Sequence, residues 1–206
     1  MKVLMINGSP NEKGCTYTAL SEIGTILDQN GIEQEILYLG KKPVAGCIAC
    51  MNCKDTGRCV FQDQVNQVLE RLDTIDAIIV GSPVYYGGPS GQVTAFMDRL
   101  FYCSGGRMAG KLGASVVSCR RGGATAAFDR LNKYFTISSM PVVSSQYWNQ
   151  VHGFTPEDVR RDEEGLQTMR TLAQNMVWLL NSIEAGRKAG IAKPVYEARI
   201  STHFIQ

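Results

Sequence analysis

The sequence has little net charge and no long apolar run. Its 206 residues include 21 Lys and Arg and 19 Asp and Glu, which leaves a formal net charge of +2. A charge this small does not attract a polyanion, so we expect no nucleic-acid partner. No apolar stretch approaches the roughly 20 residues that cross a bilayer, and the first residues lack the pattern of a signal peptide. We therefore expect a cytoplasmic protein that does not bind membranes.

The motifs of two common enzyme classes are also missing. The chain has two histidines, His152 and His203, and no Gly-x-Ser-x-Gly segment that would pair a serine nucleophile with one of them. A nucleotide-binding P-loop needs Lys directly before Ser or Thr, but Cys15 holds that position and Lys13 stands two residues too early. These gaps argue against hydrolysis and against binding of a nucleoside triphosphate.

Short apolar runs alternate along the chain with helical spacings. This alternation is typical of a parallel sheet covered by helices on both faces, and 206 residues suit one domain with appendages. The predicted strands span residues 3–6, 35–39, 77–82, 114–118 and 141–144. The last helix carries a long apolar stripe and is predicted to end at a capping Gly186. We therefore predict an α/β fold, a three-layer doubly wound sandwich with a five-stranded parallel sheet.

The loop after the first predicted strand has the composition of a phosphate site. Within residues 8–16, Ser9 and Thr16 offer hydroxyl donors, and Thr18 adds another on the following helix. Gly14 lets the backbone approach a ligand at the helix start, where free N–H groups attract an anion. Without a P-loop lysine, these donors suit a phosphate monoester. A turn that only caps the helix is the alternative.

Two further loops follow the third and fourth predicted strands, at the sheet edge where α/β proteins bind ligands. Tyr85 and Tyr86 can flank a flat heteroaromatic ring, and Gly87 lets backbone amides meet its polar edge. Arg120 or Arg121 can stabilise negative charge on a reduced ring or hold a second phosphate. The alternative is that the tyrosines lie at the edge of the core and the arginines are solvated.

Three segments carry a family resemblance: Gly8-Ser9-Pro10 with Gly14-x-Thr16, Ser82-Pro83-Val84-Tyr85-Tyr86-Gly87, and Asp98-Arg99. Over residues 1–182 the chain resembles the NAD(P)H-dependent FMN reductase branch of the flavodoxin-like superfamily. The resemblance implies bound FMN, with its phosphate on the first loop and its isoalloxazine ring between the other two. Members often have Asn at the position of Cys15, so one side-chain donor to the phosphate is weakened or lost here. Asp98 and Arg99 are expected to be structural or interfacial.

The residues that the resemblance assigns to FMN lie in three loops. The first loop contributes Ser9, Asn11, Gly14, Cys15, Thr16, Tyr17 and Thr18. The second contributes Pro83, Val84, Tyr85, Tyr86 and Gly87, and the third contributes Ser118, Arg120, Arg121, Gly122 and Gly123. No side chain is expected to be catalytic, because the flavin itself carries the redox chemistry.

Four of the seven cysteines crowd into residues 46–60, which suits a reducing compartment. They follow C-x2-C-x2-C-x5-C: Cys47, Cys50, Cys53 and Cys59. Successive x2 spacings let thiolates converge on one centre, as in bacterial ferredoxins. Zinc, which more often uses two separate knuckles, and a metal-free loop are the alternatives. The spacing also resembles the iron–sulfur flavoproteins, in which four cysteines hold a 4Fe-4S cluster near FMN. Cys103 and Cys119 are expected in the core.

Three functional hypotheses follow. The first is an oxidoreductase in which FMN accepts hydride from NAD(P)H and passes electrons to a small acceptor, such as a quinone, a nitro compound or free flavin. The second is an electron carrier whose 4Fe-4S cluster exchanges electrons with FMN and a ferredoxin-like partner. The third is a non-redox module that binds a mononucleotide. We expect residues 1–186 to form the FMN-binding domain and residues 187–206 an arm, in a homo-oligomer that is a dimer or a tetramer.

Overall fold

The computed structural model describes residues 1–198 and 200–202, so residues 199 and 203–206 of the predicted arm lie outside it. The strands are β1 (Lys2–Asn7), β2 (Glu33–Tyr38), β3 (Ala77–Tyr85), β4 (Gly88–Pro89), β5 (Leu112–Cys119) and β6 (Gln150–His152). The helices are α1 (Cys15–Gln29), α2 (Asn52–Thr56), α3 (Gln64–Glu70), α4 (Gly91–Cys103), α5 (Ala124–Ile137), α6 (Pro156–Arg161) and α7 (Glu163–Lys188), with a 3-10 turn at Leu72–Thr74.

Five of the strands form a parallel sheet in the order β2-β1-β3-β5-β6. The chain first moves outward from β1 to β2 and then returns past β1 to β3, so the order reverses between β1 and β3. This strand order is that of the flavodoxin-like fold, in which ligands bind beyond the carboxyl ends of the strands at the point of reversal. The predicted fold class is confirmed, and the sheet gains the short antiparallel strand β4, which the sequence did not predict.

The core consists of two apolar layers, one on each face of the sheet. Alternate residues of β3 divide between them: Ile78 and Val80 pack with helices α3, α4 and α5, whereas Ala77 and Ile79 pack with α1 and α7. Because successive side chains of a strand point to opposite faces, a continuous apolar run such as β3 requires cover on both sides. The central strands are therefore packed on both faces, and the sheet sets the positions of the loops at their carboxyl ends.

The predicted fifth strand at residues 141–144 is wrong. Val142 forms only an isolated bridge with Gly113, and the strand that pairs with β5 is β6, eight residues further on. Between them the hydroxyl oxygen of Ser145 lies 2.6 Å from the Tyr147 carbonyl oxygen and 2.7 Å from Asn149 Oδ1, so its single proton is shared between two local acceptors. Such local side-chain bonds compete with a strand ladder, so the chain leaves the sheet before it pairs fully.

The predicted helix stop at Gly186 is also misplaced. Helix α7 continues through Gly186 to Lys188, and Gly190 follows with φ +86°. Glycine in this left-handed conformation commonly ends helices, and the ion pair between Glu184 and Arg187 stabilises the last turn. After α7, residues 189–198 and 200–202 form neither helix nor strand. No helix of the described residues is long and apolar enough to cross a bilayer.

Candidate functional site

The loop after β1 is shaped by Asn7, the last residue of the strand. Asn7 is fully buried, and its Oδ1 accepts a 3.1 Å bond from the Ser9 N–H while its Nδ2 donates a 2.9 Å bond to the Glu12 carbonyl. The Ser9 hydroxyl oxygen accepts a 3.1 Å bond from the Asn11 N–H, which closes the next turn. The role of Asn7 was not predicted from the sequence, although an amide side chain at a strand end is a signal for this kind of turn.

The start of α1 is left open to an anion. Gly14 occupies the N-cap and supplies no side-chain cap, and the first turn contains no acidic residue. The N–H groups of the first turn of a helix have no partner within the helix, and the helix dipole makes this end positive. A cleft of about 420 Å³ borders the loop, lined by Asn11, Glu12, Lys13, Gly14, Cys15, Tyr38, Lys41, Phe154 and Pro156. Its size suits a small ligand.

The two hydroxyl groups predicted to contact phosphate in this helix already have partners inside the protein. The Thr16 side chain is buried, and its hydroxyl lies 2.9 Å from the hydroxyl of Ser118 at the end of β5. The Thr18 hydroxyl donates a 3.1 Å bond to the Gly14 carbonyl. Thr16 and Ser118 therefore connect the first and third predicted FMN loops directly, and the amides of the first turn are the donors that remain.

Cys15 is placed at the same helix start. Its thiol donates a 3.7 Å bond to the Gly153 carbonyl, which follows β6. Burial raises the pKa of the Cys15 thiol, and the acidic groups of Asp158 and Glu157 raise it further. The thiol is therefore neutral at physiological pH, so it adds no negative charge that would repel a phosphate.

The tyrosine loop is a two-residue turn between β3 and β4. Tyr86 and Gly87 have φ +50° and +75°, and Tyr85 pairs with Gly88 across the turn. Two successive positive φ values are typical of a tight hairpin turn, but they are uncommon for an aromatic residue. The Tyr86 ring is fully exposed, and Tyr85 is half-exposed. The turn thus presents two aromatic rings beyond the carboxyl end of β3.

The loop after β5 packs against the tyrosine turn through glycine. Gly123 has φ +87°, and a Cβ placed on it would lie 2.9 Å from the Gly87 Cα and 3.0 Å from Val84 Cγ1. Only glycine combines this conformation with so close an approach of two backbones. Arg120 and Arg121 are exposed at the tip of the loop. All three predicted FMN loops therefore meet at one edge of the sheet.

The second predicted site, the cysteine loop, lies along helix α4. At the start of this helix, Gln92 Nε2 donates bonds of 2.8 Å and 3.0 Å to the carbonyls of Gly40 and Lys42. Near its end, one pocket is lined by all four cysteines of the motif and by Cys103. The chain from Gly40 onward thus follows the helix, and the cysteines lie near the end of the helix. Cys47 and Cys50 are exposed, Cys53 is half-buried and Cys59 is buried.

Cys103 is buried as predicted, but it is also a fifth thiol of this pocket. Burial and contacts with the thiols of Cys53 and Cys59 raise the pKa of Cys103 to about 12. The sequence offered no signal for this position, because Cys103 lies 44 residues after Cys59 and belongs to a different element. Cys119, the other predicted core cysteine, is buried and does not line the pocket.

Cys59 is held by a single side chain of α3. Asn66 Oδ1 accepts a 2.9 Å bond from the Cys59 N–H, and Asn66 Nδ2 donates bonds of 2.9 Å and 3.0 Å to the carbonyls of Cys59 and Phe61. Asn66 is buried, so these bonds are shielded from water. The backbone of Cys59 is thereby fixed before any ligand binds.

The donor set of the pocket fits an iron–sulfur cluster, because soft thiolates are the ligands that such clusters use. In the arrangement that the structure shows, no three Cys, His, Asp or Glu side chains of the described residues converge on one metal position. The fit therefore rests on the residue types that line one pocket. The whole set of predicted ligands is brought to this pocket by the fold.

Comparison with known proteins gives a consistent picture. The family model of NADPH-dependent FMN reductase matches residues 1–155. An iron–sulfur flavoprotein of Methanocaldococcus jannaschii is 34% identical over 192 residues, which cover 89% of this chain and 100% of that protein. A crystal structure of RosB with a bound riboflavin-phosphate intermediate shares the fold with a TM-score of 0.72 at 12% identity, covering 98% of this chain and 91% of that one. A flavodoxin from the domain Archaea, at 16% identity, gives a TM-score of 0.54 over 84% and 99% of the two chains.

Proposed function

The chain belongs to the NADPH-dependent FMN reductase family of flavodoxin-like oxidoreductases, and from this premise we propose that it is an electron-transfer protein that binds FMN and a 4Fe-4S cluster. The observation that carries the proposal is the pocket in which all four cysteines of the C-x2-C-x2-C-x5-C motif meet. The relative that is named an iron–sulfur flavoprotein, and whose full length is matched by this chain, supports it.

The flavin half of the proposal rests on the three loops at the carboxyl edge of the sheet. The open start of α1 offers its first-turn N–H groups to the phosphate of FMN, and Ser9 and Asn11 shape the turn that precedes it. Tyr85 and Tyr86 offer aromatic surface for the ring, and the close contact of Gly87 with Gly123 makes a compact floor beside it. When bound, FMN supplies the one- and two-electron redox chemistry.

For the iron–sulfur cluster, the proposed ligands are the four cysteines of the motif: Cys47, Cys50, Cys53 and Cys59. A cluster held by them supplies one-electron transfer, and a ferredoxin-like protein is the partner we propose. All seven cysteines are free thiols, which is consistent with a reducing, cytoplasmic compartment. Phe61 and Cys103 contribute partly or fully buried surface to the pocket, whereas Cys47, Cys50 and Val60 are exposed to water.

A homo-oligomer, a dimer or tetramer, is part of the proposal. Helix α4 begins just after the tyrosine turn and ends at Cys103, so the two cofactor regions lie at its opposite ends. Thirteen residues at 1.5 Å each separate them by about 20 Å within one chain. A contact between subunits would shorten the path between a flavin and a cluster.

A second candidate function is an NAD(P)H-dependent oxidoreductase that reduces a small acceptor such as a quinone, a nitro compound or free flavin. The exposure of Tyr85 and Tyr86 favours it, because an open face is needed where nicotinamide and acceptor alternate. In this case NAD(P)H is a co-substrate and the cysteine pocket needs no metal. The two candidates share the FMN site and differ at the cysteine loop.

Purification without oxygen separates the candidates. We expect a visible spectrum with flavin and cluster bands, together with about four irons and four sulfides per chain. Less than one iron per chain, with FMN bound and rapid oxidation of NAD(P)H, would instead establish the second candidate. A colourless protein that does not bind FMN in a titration would contradict both and favour a non-redox mononucleotide-binding module.

A further inference from the structure

Arg99 is the most deeply buried cation of the described cysteine region. Its side chain is 1% exposed, near the end of α4. Nη1 and Nη2 each donate a 2.7 Å bond to the carboxylate of Asp63, and Nη1 also donates a 3.1 Å bond to the Ala45 carbonyl. The guanidinium carbon lies 4.9 Å from the centre of the Phe61 ring. These contacts fix the side chain in one orientation.

The Nε–H group of Arg99 points at a cysteine. Arg99 Nε donates a 3.2 Å bond to the Sγ of Cys59, which is the buried cysteine of the motif. The two-pronged pair with Asp63 uses Nη1 and Nη2, so ion pairing alone does not require Nε to contact sulfur. Asn66 fixes the backbone of Cys59 independently, so the N–H···S bond acts on the thiol group itself.

We propose that Arg99 is a positioning residue that orients the Cys59 ligand and raises the reduction potential of the cluster, an inference that rests on the proposed function. A reduced cluster carries one more negative charge than the oxidised one. A hydrogen bond from a permanently charged guanidinium to a ligating sulfur stabilises that extra charge, and hydrogen bonds to the sulfurs are among the factors that set cluster potentials. Burial strengthens the effect, because little water screens the charge.

Lysine cannot reproduce this arrangement. A lysine at position 99 keeps the positive charge beside Asp63, but its single ammonium group cannot form the two-pronged pair and donate to sulfur from a fixed fork. Arg99→Lys is therefore the informative variant. Arg107→Lys is the matched control, because Arg107 donates 3.1 Å and 2.9 Å bonds from Nε and Nη2 to Asp73 and does not line the cysteine pocket.

The test measures iron, sulfide and FMN per chain, the thermal midpoint, and the cluster potential by redox titration with electron paramagnetic resonance. In Arg99→Lys we expect unchanged FMN and about a tenfold lower equilibrium constant for one-electron reduction, a shift of about 59 mV to lower potential. Loss of iron from a variant that keeps its FMN and still unfolds cooperatively also supports the role, because it shows that Cys59 is no longer held as a ligand. Arg107→Lys should leave both iron and potential unchanged.

A measurement on the unaltered protein covers the case in which Arg99→Lys does not fold. Arginine labelled with ¹⁵N should give a resolved hyperfine coupling between the reduced cluster and an arginine nitrogen, since Nε lies one hydrogen bond from a ligand sulfur. Absence of this coupling, or a folded Arg99→Lys with the wild-type potential and iron content, would overturn the inference alone. Unaltered protein without iron would overturn the proposed function and this inference together.

Discussion

The phosphate-type loop and the cysteine loop are fixed in different ways. The first is short, and the side chains of Asn7 and Ser9 close the turns that shape it, with one further bond from the Tyr38 hydroxyl to the Pro10 carbonyl. The cysteine loop is long and has positive φ values at Ala49 and Met51. Asn52 and Thr56 bond within it, but Ala45 and Cys59 at its two ends are held by Arg99 of α4 and Asn66 of α3. A locally bonded loop forms wherever the strand and helix around it form. A loop held by distant helices depends on the whole fold.

If the FMN loops and the cysteine loop are fixed independently, a substitution in one region should leave the cofactor of the other region bound. The largest effect is expected from Cys53→Ser, which replaces a thiolate ligand by a hydroxyl that does not bind iron well. We expect loss of nearly all iron with FMN content unchanged, and a thermal midpoint lowered only by the stabilisation that the bound cluster provides. Cys119→Ala is the control, because Cys119 does not line the pocket, and it should retain iron. Joint loss of iron and FMN in Cys53→Ser would show that the regions are coupled.

An intermediate effect is expected from Gly123→Ala in the flavin region. The new Cβ would have to avoid the Gly87 Cα at 2.9 Å with φ at +87°, so we expect a loss of about 1–3 kcal/mol in unfolding free energy and weaker FMN binding. Iron per chain should not change. Gly122→Ala is matched, since a Cβ there meets nothing within 4 Å, and it should behave as wild type in denaturant unfolding and FMN titration. Equal behaviour of the two variants would contradict the close contact of the loops.

The smallest effect is expected from Thr16→Ala, which removes one partner of the hydroxyl pair between α1 and β5. A lost hydrogen bond of this kind costs about 1 kcal/mol. Because this bond joins the first and third FMN loops and does not contact FMN itself, its loss should loosen the site and weaken FMN binding by at most about fivefold. Thr25→Ala lies in the same helix and removes a 3.0 Å bond to the Ser21 carbonyl on an exposed face, so it should not affect FMN. A fluorescence titration measures both. Unchanged affinity in Thr16→Ala would remove Thr16 from the flavin site.

The sequence predicts the fold well where a signal is local. The apolar run of β3 and the cap at Ser90, whose hydroxyl accepts a 3.3 Å bond from the Val93 N–H, can both be recognised from neighbouring residues. The position of the fifth strand could not be recognised in this way. The contacts of Ser145, near which the chain leaves the sheet, depend on how residues 145–149 fold together. The membership of the chain in the FMN reductase family was also predicted, from its loop motifs, and is confirmed.

Some residues of the candidate site could likewise be predicted from local sequence, and others could not. The cysteine spacing identified four residues that the structure brings to one pocket, because their separation along the chain is short. It could not identify Cys103 or the contact of Arg99 with Cys59, since both come from a helix more than 35 residues away. Arg99 was predicted to be structural or interfacial, and its pairing with Asp63 shows only part of what its guanidinium contacts. Roles that arise from packing between distant elements leave no mark in local spacing.

The two hydrogen bonds of Asn66 fix the main chain at position 59. Both bonds go to backbone atoms, so they do not involve the side chain that this residue carries. A serine in place of Cys59 should therefore leave the main chain where it is. Replacement at this position would change the ligand atom without moving the backbone that carries it.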